Sequence, residues 1–261
     1  MIVGLDIGRS SVKVFTGDKM EQFPSYLGEW RKRKLSSEHK DDIEVEFQGE
    51  KFFAGTLAQN ESEFARSMMT EEKAHADTLL LALVALHRVT TEANIITGLP
   101  VYLHDTERKN ALKQLLRGNG KWEITVNGVK KTISVPRIEV AVEGGAAFWS
   151  SPRDGLVRVI DAGSRTVNYV TLKDKRYVDR DSGTLPFGFG TTISGDLRQM
   201  AARIAGELGR KWRETDAVLV AGGRAEELAK ELKQYFPQTE TFTNPLFANA
   251  IGYYRIGRKL L

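Results

Sequence analysis

Asp6 and Asp161 occupy matching places in two copies of one pattern. Asp6-Ile7-Gly8-Arg9-Ser10-Ser11-Val12 follows the apolar run 2–5, and Asp161-Ala162-Gly163-Ser164-Arg165-Thr166-Val167 follows the run 156–160. Each copy reads as a strand, an aspartate, a glycine two residues on, a hydroxyl residue three further, and a second strand. The glycine permits a tight turn and lets the backbone approach a ligand. The amides and hydroxyls of such a turn can hold phosphate oxygens. Carboxylates at the two strand ends, facing a crevice between the halves, can hold the water shell of magnesium, which prefers oxygen ligands and keeps several waters. A plain β-hairpin with an Asx turn gives the same string once. Two copies, one opening each half, favour the phosphate reading.

The surrounding pattern must position these residues. Residues 2–7 read as a buried strand, with a second over Val12–Phe15. Residues 43–48 and 51–54 read as a hairpin, 72–88 as a helix with Leu79, Leu80, Leu83, Val84 and His87 along one side, and 95–96 as a short strand. Asp105 reads as the N-cap of a helix over 106–117 that stops at Gly118. Asn127-Gly128 joins strands 121–126 and 129–135, a strong hairpin signal. A small-residue helix is expected over 141–150. The second half predicts strands at 156–160, 166–172, 176–182 and 217–220, with helices at 192–208, 224–235 and 245–259. Strands alternating with helices indicate an α/β protein, and the hairpins add antiparallel strands to mixed sheets.

Three more segments share this order. Glu143-Gly144-Gly145-Ala146-Ala147 opens the small-residue helix. Gly222-Gly223 follows a strand and precedes a helix, which places amides at a helix N-terminus. Asn249-Ala250-Ile251-Gly252-Tyr253 lies on the last helix, with small residues suited to close packing.

Taken together, the five segments resemble the phosphate 1, connect 1, phosphate 2, adenosine and connect 2 signatures of the actin-like ATPase superfamily. Thr97-Gly98-Leu99-Pro100 and Phe247-Ala248-Asn249-Ala250-Ile251-Gly252-Tyr253-Tyr254 more narrowly resemble the ParM/StbA plasmid-segregation actins. Between Asp161 and Gly222 only two strands, a helix and a strand are expected. The outer subdomain that family members usually insert there is missing, which is similar to the AlfA-like variants.

The resemblance implies an actin-like ATPase fold of two ribonuclease-H-like lobes, with mixed sheets flanked by helices and a nucleotide cleft between them. It implies a first lobe at 1–150, with a small outer subdomain at about 24–60. A reduced second lobe follows at 151–261, its C-terminal helix packing back toward the first. Asp6 and Asp161 match the aspartates that hold hydrated magnesium. Gly8, Ser10 and Ser11 match the first phosphate loop, and Gly163, Ser164 and Thr166 the second. Lys13 matches the basic residue that reaches the phosphates, although a solvated strand residue fits the same position. Glu143 matches the residue that orients the attacking water, although a helix N-terminal acid is equally compatible with its place. Gly222 and Gly223 match the adenosine loop, and Arg224 and Glu227 are base contacts by position alone. The implied cofactors are magnesium and ATP, with GTP left open. The implied partners are further copies of the chain in a helical filament and a DNA-bound adaptor on a plasmid, with no membrane.

Composition narrows the alternatives. The chain has 261 residues, 41% hydrophobic and 28% charged, enough for a substantial core. Its 38 Lys+Arg against 34 Asp+Glu give a net charge of +4, too mild to argue for nucleic acid binding. The absence of cysteine excludes disulfides, thiolate metal sites and a cysteine nucleophile. No apolar run is long enough to span a membrane and no signal peptide opens the sequence, so a cytoplasmic protein is expected. Arg31-Lys32-Arg33-Lys34 is the densest positive run, readable as a solvated loop or a contact for DNA, an acidic partner or a next subunit. His39, His75, His87 and His104 show no metal spacing, and His87 reads as a core histidine. Two other functions compete: a small-molecule kinase of the same superfamily, such as a type III pantothenate kinase, and a non-enzymatic DNA-binding scaffold.

Overall fold

Each copy of the repeated pattern folds as the antiparallel hairpin that its flanking β-branched runs predict. The computed structural model describes residues 1–35, 39–67, 72–192 and 195–261. Contacts gather into two units. The first comprises Met1–Thr97, Asp105–Val140 and Gly257–Leu261, and the second Gly98–His104 and Ala141–Ile256.

The first unit is built from β1 (Ile2–Ile7), β2 (Ser11–Phe15), β3 (Met20–Pro24), β4 (Tyr26–Glu29), β5 (Asp42–Phe47), β6 (Glu50–Ala54), α1 (Gly55–Glu61), β7 (Arg66–Ser67), α2 (Ala76–Val89), β8 (Asn94–Leu99), α3 (Thr106–Arg117), β9 (Lys121–Val126), β10 (Val129–Ser134) and β11 (Ile138–Val142), the last residues of β8 and β11 running on into the second unit. One sheet has the order β11-β8-β1-β2-β3, the other β10-β9-β5-β6-β4-β7. Val3, Leu5 and Ile7 of β1 are buried, as are Leu79–Leu86 of α2, so this helix is apolar nearly all round, as an interior helix must be. α2 starts at Ala76, four residues later than expected. The His75 Nδ1 caps it by accepting from the Asp77 amide at 3.2 Å, and the Arg66 guanidinium grips Asp77 at 2.7 and 3.0 Å. α3 matches its expected limits. Asp105 accepts from the Arg108 amide at 2.8 Å, and Gly118 ends the helix at φ +50°. Asn127 and Gly128 both have positive φ, as a two-residue hairpin turn requires.

His87 is buried in this unit, and its Nε2 lies 2.8 Å from the Val129 carbonyl oxygen. Burial holds the imidazole below its usual value of about 6.5. The unfolded chain therefore takes up the proton first as pH falls, and stability drops below about pH 6.5. His87→Gln keeps a donor for Val129, so its stability is expected to fall less steeply than the wild type's between about pH 7 and 5. Urea midpoints across that range measure the difference.

The basic run leads from β4 toward β5, and two of its four cations are engaged within the unit. Arg31 pairs with Glu61. Arg33 pairs with Glu44 at 3.0 Å and stacks its guanidinium over Phe53 at 5.9 Å. Lys32 and Lys34 are exposed.

The second unit holds α4 (Gly145–Phe148), β12 (Leu156–Ala162), β13 (Val167–Lys173), β14 (Arg176–Tyr177), β15 (Gly183–Leu185), α5 (Leu197–Leu208), β16 (Ala217–Ala221), α6 (Ala225–Leu232), β17 (Thr239–Thr241) and α7 (Ala248–Leu260), the last residues of α7 belonging to the first unit. Among the described residues it has a single sheet, of order β14-β13-β12-β16-β17, with β15 also on β13. Its plan repeats that of the first sheet: the hairpin strand β12 pairs antiparallel with β13 and parallel with β16, as β1 does with β2 and β8. This is the plan expected of ribonuclease-H-like lobes. Ile160, Ala162, Val218 and Val220 face a core with α5 and α6, whereas Val157, Val159, Leu219 and Ala221 face a second core with Phe148 and Ala248.

Other expected boundaries are corrected as well. Residues 138–142 form a strand, because pairing beside β8 overrides the small-residue pattern, and only one turn of helix follows at Gly145–Phe148. The expected strand 176–182 breaks into β14 and a single turn at Asp179–Asp181, where the Ser182 hydroxyl accepts from the Thr171 amide at 3.0 Å. α5 begins at Leu197, capped by Asp196, instead of at 192. Strands β3, β4, β7, β15 and β17 and helix α1 were not expected.

Candidate functional site

The first loop, Gly8–Ser11, is closed by the Gly8 amide donating to the Ser11 carbonyl at 3.2 Å. A Cβ at Gly8 would stand 2.8 Å from that same oxygen, so the closure requires glycine. Asp6 is buried at the end of β1, directly across from Lys13 of β2. The Lys13 Nζ donates to Asp6 Oδ2 at 3.2 Å and to the Ser11 carbonyl at 3.3 Å. The fully buried Ser25 buttresses the loop. Its hydroxyl donates to the Gly8 carbonyl at 2.6 Å and its amide to the Ser10 carbonyl at 3.1 Å.

The second loop repeats the closure, the Gly163 amide donating to the Thr166 carbonyl at 2.9 Å. Asp161 is buried and lies across from Asn168 of β13, the place that Lys13 takes in the first copy. The segment after β15 buttresses this loop: the Phe189 amide donates to the Gly163 carbonyl at 3.1 Å and the Gly190 amide to the Ser164 carbonyl at 2.6 Å. Gly188 makes the approach possible, since a Cβ there would lie 2.5 Å from the Gly163 oxygen and 2.7 Å from the Arg165 nitrogen. Both atoms are backbone and cannot swing aside. Gly188→Ala is therefore expected to cost about 1–3 kcal/mol by overpacking, read as a lowered urea midpoint.

Glu143 follows β11, its amide donating to the Leu99 carbonyl at 2.9 Å. It comes directly after β11, with Gly144 between it and α4, so it is a strand-end acid. Its buried carboxylate accepts from Asn168 Nδ2 at 3.3 Å through Oε2. Asn168 Oδ1 in turn accepts from the Thr184 hydroxyl at 2.7 Å and the Val101 amide at 3.4 Å, which fixes the amide's orientation. Asn249, at the start of α7, donates from Nδ2 to Asp161 Oδ2 at 2.9 Å and accepts at Oδ1 from the Gly144 amide at 3.0 Å. Glu143, Asp161, Asn168 and Asn249 thus belong to one buried polar cluster within the second unit.

Gly222 turns the chain at φ +114° after β16, and its amide donates to the Pro245 carbonyl at 2.9 Å. With Gly223, Arg224 and Glu227 it lines a pocket of about 500 Å³, closed on the other side by Thr243–Phe247. Arg224 and Glu227 pair with each other at 2.8 and 3.2 Å, and the Arg224 guanidinium lies 5.4 Å from the Phe189 ring. That ion pair holds the Glu227 carboxyl below its ordinary range.

Residues 4–145 match the family described as actin like proteins N terminal domain. The chain belongs to the actin-like proteins. The solved structures it resembles include an AlfA filament bound to AMPPNP, at 23% identity and a TM-score of 0.77, covering 99% of this chain and 97% of that one. AlfA from B. subtilis plasmid pLS32 matches at 22% identity and 0.75, covering 96% and 97%. Ta0583, an archaeal actin homologue in complex with ADP, matches at 19% and 0.80, covering 99% and 100%. At these identities the likeness shows the actin-like fold. No curated protein sequence matches the chain.

Taken one at a time, Asp6 in the first unit and Asp161 in the second each offer the oxygen donors that magnesium takes through its waters. Asp6 and Asp161 end equivalent strands beside amide-lined turns. Among the described residues no three acidic or histidine side chains converge as a direct ligand set. Sequence reasoning missed Ser25, Asn168, Gly188 and the side chain of Asn249. The Gly188 and Gly190 pair was a visible punctuation signal. The other three act through partners distant in sequence. No described helix is long and apolar enough to cross a membrane.

Proposed function

We propose that this actin-like protein is a cytoplasmic ATPase that binds ATP with magnesium, polymerises into helical filaments and drives plasmid DNA segregation through a DNA-bound adaptor. The observation that carries the reading is the duplicated hairpin: two buried aspartates at equivalent strand ends, each beside a glycine-closed turn, in a chain of this family. In this reading Asp6 and Asp161 hold hydrated magnesium. Gly8, Ser10 and Ser11, and Gly163, Ser164 and Thr166, present amides and hydroxyls to phosphate oxygens. Lys13 neutralises phosphate charge by exchanging its Asp6 contact. Glu143, oriented by Asn168, accepts a hydrogen bond from the attacking water. Bound magnesium supplies neutralisation of the charge on the transferring phosphoryl group. Gly222, Gly223, Arg224 and Glu227 form the base-side wall, and GTP is the competing nucleotide to test there. AMPPNP in the AlfA filament and ADP in Ta0583 support a nucleotide ligand.

Sedimentation and negative-stain imaging with Mg-ATP, Mg-ADP and no nucleotide test the proposal. Filaments that depend on nucleotide are expected. Phosphate transfer to pantothenate without assembly would replace this reading with a small-molecule kinase.

A further inference from the structure

We propose that Asn249 is the positioning residue of Asp161, fixing its carboxylate for the magnesium–nucleotide complex and, with the same amide, fixing the Gly144 turn beside Glu143. The inference rests on the reading of Asp161 as the metal-holding carboxylate. An asparagine side chain offers a donor end and an acceptor end. Here one partner is a carboxylate oxygen at 2.9 Å and the other a backbone N–H at 3.0 Å, so a single orientation satisfies both. Asn249 and Asp161 are buried at 8% and 9% exposure, which leaves little water to substitute for either bond. Gly144 has φ +76°, and a Cβ there would press on Val170 and lie 3.5 Å from the Asp161 Cβ. The turn is therefore packed against the strand whose aspartate Asn249 holds.

Gly252 explains how α7 comes close enough. It lies three residues after Asn249 on the same helical face. A methyl group there would run into the Ala146 carbonyl oxygen, so α7 rests its backbone on α4. That contact carries the Asn249 amide to the end of β12. The small residues of the last helix thus serve to deliver one polar group to the candidate site. Groups that orient a metal-holding side chain typically change metal affinity by about 10–100-fold when removed.

The test uses the full chain as wild type, Asn249→Ala, Asn249→Ser, Asp161→Ala and the Asp161→Ala, Asn249→Ala double variant. Affinity for mant-ATP is measured with magnesium and with EDTA, alongside the thermal midpoint. Asn249→Ala is expected to cut the magnesium-dependent gain in affinity by about 10–100-fold while affinity in EDTA stays within about twofold. In the Asp161→Ala background the same substitution should remove nothing further, because it acts through Asp161. Asn249→Ser offers an oxygen in place of the amide but cannot span both partners, so it should fold if the alanine variant does not and still lose the gain. A wild-type gain retained by Asn249→Ala or Asn249→Ser, or losses that add in the double variant, overturns the inference alone. A wild type without a magnesium-dependent gain, or an Asp161→Ala variant that keeps it, overturns the reading of Asp161 and the inference with it.

Discussion

Asp161→Asn is expected to lower kcat for ATP hydrolysis by about 10²–10³-fold, the scale seen when one preorganised electrostatic group is removed from a phosphoryl- or acyl-transfer site. The substitution is nearly isosteric. Its Oδ1 can still accept from Asn249 Nδ2, which now donates to Asp161 at 2.9 Å. Folding stability should therefore stay within about 1 kcal/mol of wild type. Asp161→Ala removes the charge and the acceptor together. It leaves the buried Asn249 donor unpaired at that end, at a cost of about 1–3 kcal/mol. Phosphate release and urea unfolding on the two variants separate the lost charge from the lost hydrogen bond. A scaffold that had merely kept the fold would show no difference in turnover. Asp6→Asn differs in kind: it leaves Lys13, whose Nζ is 3.2 Å from Asp6 Oδ2, without its ionic partner.

Arg158→Ala is expected to destabilise the second unit by about 3–5 kcal/mol. Arg158 lies on β12 with its side chain 5% exposed, and its Nε donates to Asp216 Oδ2 at 2.8 Å. Nη1 donates to the Thr171 hydroxyl at 2.6 Å, Nη2 reaches the Lys211 carbonyl at 3.4 Å, and the guanidinium lies 5.4 Å from the Trp212 ring. Trp212 is itself packed edge-on to Tyr169 and Phe236. Truncation leaves the Asp216 carboxylate buried without its counter-ion, still accepting from the Arg213 amide at 3.1 Å. Removing Asp216 as well should recover part of the loss, because the penalty comes from the stranded charge. Urea unfolding of Arg158→Ala, Asp216→Ala and the double variant closes the cycle. Additive losses would contradict the coupling.

The parts of this protein that sequence made legible are those whose signals are local. The two hairpins carry β-branched runs broken by a glycine, and both formed where they were expected. α3 has its cap at Asp105 and its stop at Gly118, each adjacent to the helix it bounds. Asn127-Gly128 needed nothing beyond itself. The misread stretches are those decided by tertiary pairing. Alanines at 141 and 146–147 favour helix and pull the reading that way, whereas Ile138, Val140 and Val142 suit a strand, and the place beside β8 settled 138–142 as strand. The arginine within the apolar run Leu156–Ile160 was a visible anomaly, but its partner Asp216 lies on a turn far along the chain. The site divides in the same way. Its aspartates, turn glycines and Glu143 stand in a readable order. Ser25, Asn168 and Asn249 act across strands and helices, so only the folded chain brings them to the loops they hold.

Under the proposed function, hydrolysis belongs to an assembling actin-like protein. The most direct test is the rate of phosphate release from Mg-ATP measured against protein concentration. Turnover per molecule is expected to be negligible below a critical concentration and to rise above it, in step with light scattering. A constant turnover per molecule at every concentration, with no scattering, would contradict the account and point to an enzyme that works as a free subunit.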